Sequence, residues 1–153
     1  MCDLFKKRCI FAGMKNFVMK IAFVLIMMYL GTSCGDVVTG VPVSNVNFTV
    51  SIYGNKLAQV GGYEYFKGAI AGVFVYRVDL ETFCAYDRAC PYDYKEDGYV
   101  SVDDSNSFQL ICGRCHSTFN ILNGYPVGNV KAEAPLRSYK AVLIDDINLK
   151  VYN

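Results

Sequence analysis

The sequence has 153 residues, enough for one domain, with 53% hydrophobic residues, 19% charged residues and a formal net charge of +1. Residues 1–33 carry five basic side chains against Asp3 alone, whereas the remainder carries ten basic and thirteen acidic side chains. No cluster of lysine and arginine follows residue 34, which argues against a nucleic-acid partner because phosphate binding requires such clusters.

The N-terminus has the pattern of a secretory signal. Residues 21–30 are continuously apolar, Lys15 and Lys20 precede them, and small residues follow. Ten residues span only about 15 Å as a helix, too short for a bilayer core of roughly 30 Å. We therefore expect residues 1–33 to be a signal sequence, with Met14 or Met19 as alternative start sites.

The segment from Leu30 to Cys34 resembles the lipobox of bacterial lipoproteins. The resemblance implies cleavage before Cys34 and a lipid on its thiol. We expect a lipidated tether over residues 34–45 and a domain over residues 46–153. The expected location is a bacterial cell envelope, on the extracytoplasmic side of a membrane.

The chain after the tether is rich in short strand-like runs and lacks a helical apolar stripe. Asn123-Gly124 is a typical hairpin turn, and the aromatic segment 63–66 is either irregular or a strand. These features predict an all-β fold, an antiparallel sandwich or small barrel. The other strands are expected at 46–53, 57–60, 72–78, 83–86, 99–102, 108–111, 118–122, 136–144 and 147–152.

Four cysteines remain in the domain: Cys84, Cys90, Cys112 and Cys115. Two thiolates at the Cys112-x-x-Cys115 spacing can bind one metal ion from a tight turn. Export into an oxidising compartment makes disulfides an alternative. Cys84 lies within a predicted strand, where a cysteine is often a small core residue.

Two cysteine-bearing loops carry a more specific pattern. Ala89-Cys90-Pro91-Tyr92 is followed, after a short β excursion, by Cys112-Gly-Arg-Cys115-His116-Ser117-Thr-Phe119. A glycine turn and Pro135-Leu136-Arg-Ser-Tyr139 come next. In order and spacing, residues 57–152 resemble a Rieske iron–sulfur domain, which implies a Rieske-like β fold whose two loops form a small site subdomain.

The resemblance implies roles for particular residues. In the family, two cysteines bind one iron of a [2Fe–2S] cluster and two histidines bind the other. Cys90 and Cys112 match the cysteines, whereas Tyr92 and Cys115 stand at the histidine positions. His116, the single histidine of the sequence, lies one place beyond. Ser117 and Phe119 match the loop serine and the packing aromatic residue, so both are expected to support the loop.

Three states of the site therefore remain open. In the first, Cys90, Cys112 and Cys115 together bind a [2Fe–2S] cluster or a metal such as zinc, with a fourth ligand from Cys84, Tyr92 or His116. Alternatively, a disulfide among the three cysteines replaces any cofactor, or the thiols stay free and redox-active.

These states imply two classes of function. The first is an electron carrier with a redox protein partner, and the second is a structural or interaction lipoprotein without a cluster. The sequence has no catalytic triad, which indicates a carrier or binding protein rather than an enzyme. We interpret the acidic residues between the loops as a solvated face, because their spacing lacks a calcium-loop pattern: Asp93, Glu96, Asp97, Asp103 and Asp104.

Overall fold

The computed structural model describes residues 40–153, so the predicted signal sequence and Cys34 lie outside the described residues. Over this range the chain forms nine strands and two short 3₁₀ helices, at Lys56–Ala58 and Tyr94–Glu96. The strands are β1 (Asn47–Ser51), β2 (Tyr63–Phe66), β3 (Val73–Arg77), β4 (Phe83–Asp87), β5 (Val100–Asp103), β6 (Asn106–Cys112), β7 (Thr118–Asn120), β8 (Ser138–Leu143) and β9 (Asn148–Tyr152).

The strands form two antiparallel sheets. The larger sheet has the order β1-β9-β8-β4-β3-β2, and the smaller sheet has the order β5-β6-β7. Every strand pair is antiparallel. The predicted all-β antiparallel fold is confirmed, as is a small subdomain carrying the cysteine loops, because Cys112 ends β6 and Cys90 lies in the segment between β4 and β5.

Strand β3 lies between β4 and the edge strand β2 of the larger sheet, and all five of its residues are buried. Successive side chains of a strand point to opposite faces. Phe74 and Tyr76 accordingly join a core cluster with residues of the smaller sheet, while Val73 and Val75 join a second cluster on the opposite face. The first cluster connects the two sheets and includes Cys90, Cys112 and Cys115. The cysteine loops are thus built onto the core.

The predicted strand at 57–60 is wrong, because residues Lys56–Ala58 form a 3₁₀ helix. Asn55 is the cause: its side-chain oxygen accepts a hydrogen bond from the Leu57 amide at 2.9 Å, and its amide donates to the Ser51 carbonyl at 2.7 Å. Such local side-chain bonds compete with strand pairing. Leu57 is still fully buried, so its hydrophobic side chain fills the core from a turn.

The segment before β1 also contacts the domain. Val41 and Val46 are 1% and 3% exposed, and the Arg137 Nε donates to the Val41 carbonyl at 3.0 Å. Val41 belongs to the tether predicted over residues 34–45, so at least this residue packs against the domain. No helix among the described residues is long and apolar enough to cross a membrane.

Candidate metal centre

The first cysteine loop follows β4 and is closed by backbone hydrogen bonds. The Cys90 amide donates to the Gly98 carbonyl at 2.9 Å, and the Tyr94 amide donates to the Cys90 carbonyl at 2.9 Å. A Cβ atom at Gly98 would lie 2.3 Å from the Cβ of Asp93, so only glycine permits this approach. The turn places the side chains of Cys90 and Asp93 inside the loop, 0% and 8% exposed.

The second loop joins β6 to β7. The Cys112 amide donates to the Ser117 carbonyl at 2.9 Å, and the His116 amide donates to the Cys112 carbonyl at 3.0 Å. His116 has a φ of +60°, a left-handed conformation that non-glycine residues seldom adopt. This tight turn brings Cys115 back beside Cys112, and both thiols are buried.

The two loops bring four metal-ligating side chains together. The donor atoms of Cys90, Asp93, Cys112 and Cys115 all lie within 4.8 Å of one another. The Cys90 and Cys115 Sγ atoms are 3.6 Å apart, and the Cys112 Sγ lies 3.8 Å from an oxygen of Asp93. Three thiols and one carboxyl, each at least nine-tenths buried, form a compact donor set of the kind that binds transition metals.

Burial alters the acidity of the thiols. It raises the pKa of Cys90 above its ordinary value, with the neighbouring Cys112 thiol adding to the effect. Burial is also the main cause of the raised pKa of Cys115, which the Ser117 hydroxyl opposes. Without a cation these thiols favour their protonated form. A bound metal must therefore displace protons from them, as thiolate sites require.

Ser117 and Phe119 occupy the supporting positions that the sequence predicts. The Ser117 Oγ is fully buried, accepts a hydrogen bond from the Ala132 amide at 3.0 Å, and lies 3.2 Å from the Cys115 Sγ. Because the Ala132 amide uses a lone pair of Oγ, the hydroxyl proton remains available to a Cys115 thiolate. Phe119 is fully buried in the core cluster that contains the three cysteines.

None of the three residues predicted as alternative fourth ligands belongs to this set of four buried donors. The Cys84 thiol donates to the Leu122 carbonyl at 3.1 Å. The Tyr92 side chain is 57% exposed, with the Lys131 ammonium 6.0 Å from its ring centroid. His116 is exposed at the tip of the second loop. The structure instead places Asp93 beside the three thiols.

The interpretation of Asp93 as part of a solvated acidic face is therefore wrong. Glu96 and Asp97 are exposed, but Asp93 is 8% exposed and faces the thiols. The sequence contains a signal that would have identified it: Cys90-x-x-Asp93 repeats the spacing of Cys112-x-x-Cys115. Equal spacing in two loops indicates two pairs of donors that face one site.

The fold and the site define an antiparallel two-sheet β protein with a buried thiol and carboxyl centre between two loops. No family model and no curated protein matches the sequence.

The solved structures that are similar to the described fold include the following three. A complex of reduced oxygenase and oxidized ferredoxin in carbazole 1,9a-dioxygenase has 20% identity and a TM-score of 0.49, over 70% of this chain and 93% of that one. The ferredoxin of carbazole 1,9a-dioxygenase from Nocardioides aromaticivorans has 18% identity and a TM-score of 0.47, over 72% and 98%. A Sphingomonas yanoikuyae ferredoxin has 16% identity and a TM-score of 0.42, over 60% and 84%.

Proposed function

We propose that the protein binds iron, as an iron–sulfur cluster or a single ion, or another thiolate-binding metal such as zinc. The ligands would be Cys90, Asp93, Cys112 and Cys115. The observation that carries the proposal is the approach of these four buried donor atoms to within 4.8 Å of one another. Buried ionisable groups are costly unless they are paired or bind a metal, and thiolates favour zinc, copper and iron over magnesium or calcium.

With iron bound, the protein would act as an electron carrier for a redox protein partner. The Rieske-like order of the two loops supports this role, and iron held by thiolates is a one-electron centre. The described part of the site leaves little room for a substrate, because every donor side chain is at least nine-tenths buried. Transfer of electrons requires no open coordination position, so this burial suits a carrier.

A structural role is the second candidate. The Cys90 and Cys115 thiols lie 3.6 Å apart, so a modest movement would allow a disulfide. Its formation would release two protons and pass two electrons to a disulfide-exchanging oxidant of the cell envelope. The bridge would then join the loops in place of a metal, with a contribution to stability of about 3 kcal/mol for a loop of roughly this length.

Elemental analysis of the full-length chain tests these two roles. We expect about one equivalent or more of iron or zinc, and protection of Cys90, Cys112 and Cys115 from alkylation until a chelator removes the metal. Cys84, outside the site, is the internal control, and its alkylation should be the same with and without the chelator. A folded, metal-free protein with a Cys90–Cys115 disulfide would instead establish the structural role.

Attachment to a membrane is a separate part of the proposal, supported by the lipobox-like sequence before Cys34. We expect the protein to fractionate with membranes and Cys34 to carry a lipid that mass spectrometry detects on the N-terminal peptide. A single acyl chain gives only marginal membrane binding, so the several chains of a lipoprotein cysteine should dominate attachment. Cys34→Ala should move the protein to the soluble fraction, while Cys84→Ser should not. Membrane attachment unchanged by Cys34→Ala would refute the anchor.

A further inference from the structure

The two cysteine loops share one turn geometry. In each, the amide four residues after the first cysteine donates to that cysteine's carbonyl: Tyr94 to Cys90 at 2.9 Å, and His116 to Cys112 at 3.0 Å. Each hydrogen bond closes a single helix-like turn. The first and fourth residues of each loop therefore supply its donors. The site consists of two equivalent halves, Cys90 with Asp93 and Cys112 with Cys115.

This arrangement does not fit a two-iron cluster of the Rieske type. In a Rieske cluster, Cys90 and Cys112 would bind one iron, and the residues at the Tyr92 and Cys115 positions would bind the other. The cluster would then separate the Cys90 and Cys115 thiols, yet their Sγ atoms lie 3.6 Å apart. Tyr92 is also 57% exposed, whereas the side chains of the four donors are at least nine-tenths buried.

The same distances fit one tetrahedral ion. Two sulfurs bound at about 2.3 Å to a tetrahedral metal lie roughly 3.8 Å apart. The 3.6 Å between Cys90 and Cys115 Sγ and the 3.8 Å between the Cys112 Sγ and an Asp93 oxygen are both near this value. The 4.8 Å limit on the whole donor set leaves space for one ion at its centre.

We propose that the centre holds a single divalent ion bound by three thiolates and the Asp93 carboxylate, rather than a [2Fe–2S] cluster. This inference rests on the proposed metal-binding function. It specifies the bound group as one divalent ion of the zinc or ferrous class. Three soft sulfur donors select such ions against magnesium and calcium. Because protein atoms fill all four positions of a tetrahedral ion, the site is closed and holds no catalytic water.

The Ser117 hydroxyl is a positioning group for the Cys115 sulfur. Its oxygen accepts hydrogen bonds from the Ala132 amide at 3.0 Å and from the Cys115 thiol at 3.2 Å. When a metal displaces the thiol proton, the hydroxyl can turn and donate to the Cys115 sulfur. A hydrogen bond from this hydroxyl would stabilise the thiolate form and fix the orientation of the sulfur. The second loop thus contains both the Cys115 ligand and the hydroxyl that stabilises its thiolate form.

Cobalt loading of the full-length chain tests the inference, together with metal and acid-labile sulfide counts on the protein as purified. We expect one metal and no sulfide per chain, and one bound Co²⁺ with the intense visible bands of a tetrahedral thiolate complex. Asp93→Asn should weaken Co²⁺ binding by about tenfold or more and shift the spectrum. Asp97→Asn is the matched control, since Asp97 lies in the same loop with an exposed side chain, and it should leave both unchanged.

A second variant keeps the test decisive if Asp93→Asn folds poorly. Asp93→Cys would create a four-thiolate set and should retain one Co²⁺ with stronger sulfur-to-cobalt charge-transfer absorption. Two irons and two sulfides per chain would overturn the single-ion inference while upholding metal binding. A Co²⁺ spectrum that neither Asp93 variant alters would overturn the role of Asp93. Failure of the folded protein to bind any metal would overturn the proposed function itself, and the inference with it.

Discussion

Replacing Cys112 with serine is expected to reduce metal affinity by at least about 100-fold. This is more than the usual effect of losing a residue that only hydrogen-bonds to a metal ligand. Cys112 is fully buried at the end of β6, and its donor atom lies within 4.8 Å of those of Cys90, Asp93 and Cys115. A hydroxyl at this position is a poor ligand for a soft ion. The measurement is a competition titration of the full-length chain against a chromophoric chelator.

The same substitution should lower the thermal stability of the metal-loaded protein. A metal held at 100 times its dissociation constant stabilises the folded state by about 2.7 kcal/mol, which a 100-fold loss of affinity largely removes. Cys84→Ser is the matched control, because its thiol lies outside the site and donates to the Leu122 carbonyl, a bond that serine can retain. Equal losses in the two variants would show that the effect is not specific to the site.

Replacing Asp87 with alanine is expected to destabilise the fold by about 4 kcal/mol, measured by denaturant unfolding of the metal-free chain. Asp87 is fully buried. Its carboxylate accepts hydrogen bonds from the amides of Ile70, Ala71 and Ala89 and from the Tyr139 hydroxyl. Alanine would leave these donors without their acceptor, and the Ala89 amide and the Tyr139 hydroxyl among them are buried. Because Ala89 directly precedes Cys90, we also expect a weaker metal site.

A milder variant tests how much of the effect comes from one of the four hydrogen bonds to Asp87. Tyr139→Phe removes one of the four donors to Asp87 and keeps the ring in the core, so it should cost only about 1 kcal/mol. Metal affinity should then stay near that of the unaltered chain, since the amide of Ala89 keeps its acceptor. If Asp87→Ala and Tyr139→Phe were equally mild, the carboxylate would not be the structural centre that we describe.

Much of the fold was predictable because the strand residues are locally consistent. The β-branched and aromatic run from Val73 to Arg77 predicts a strand. The structure confirms it as a fully buried strand between β2 and β4 of the larger sheet. The exception at residues 57–60 has a local cause, since the bonds from Asn55 favour a turn over a strand. Hydrophobic pattern alone did not reveal that competition.

The candidate site was predictable in part for a different reason. The loop pattern indicated Cys90, Cys112 and Cys115, and the structure brings these three thiols together. Asp93 was missed because an acidic residue in a charged segment is usually solvated. Its burial depends on the second loop, whose Cys112 lies 19 positions further along the chain and 3.8 Å away in space. Such a contact arises from the pairing of strands and not from local composition.

X-ray absorption at the metal edge of the purified, full-length protein tests the central claim most directly. The account predicts one ion with three sulfur neighbours at about 2.3 Å and one oxygen neighbour at about 2.0–2.2 Å. It also predicts no second metal in the next shell. A shell made of nitrogen and oxygen alone, or a short metal–metal distance, would contradict the single-ion thiolate centre formed by Cys90, Asp93, Cys112 and Cys115.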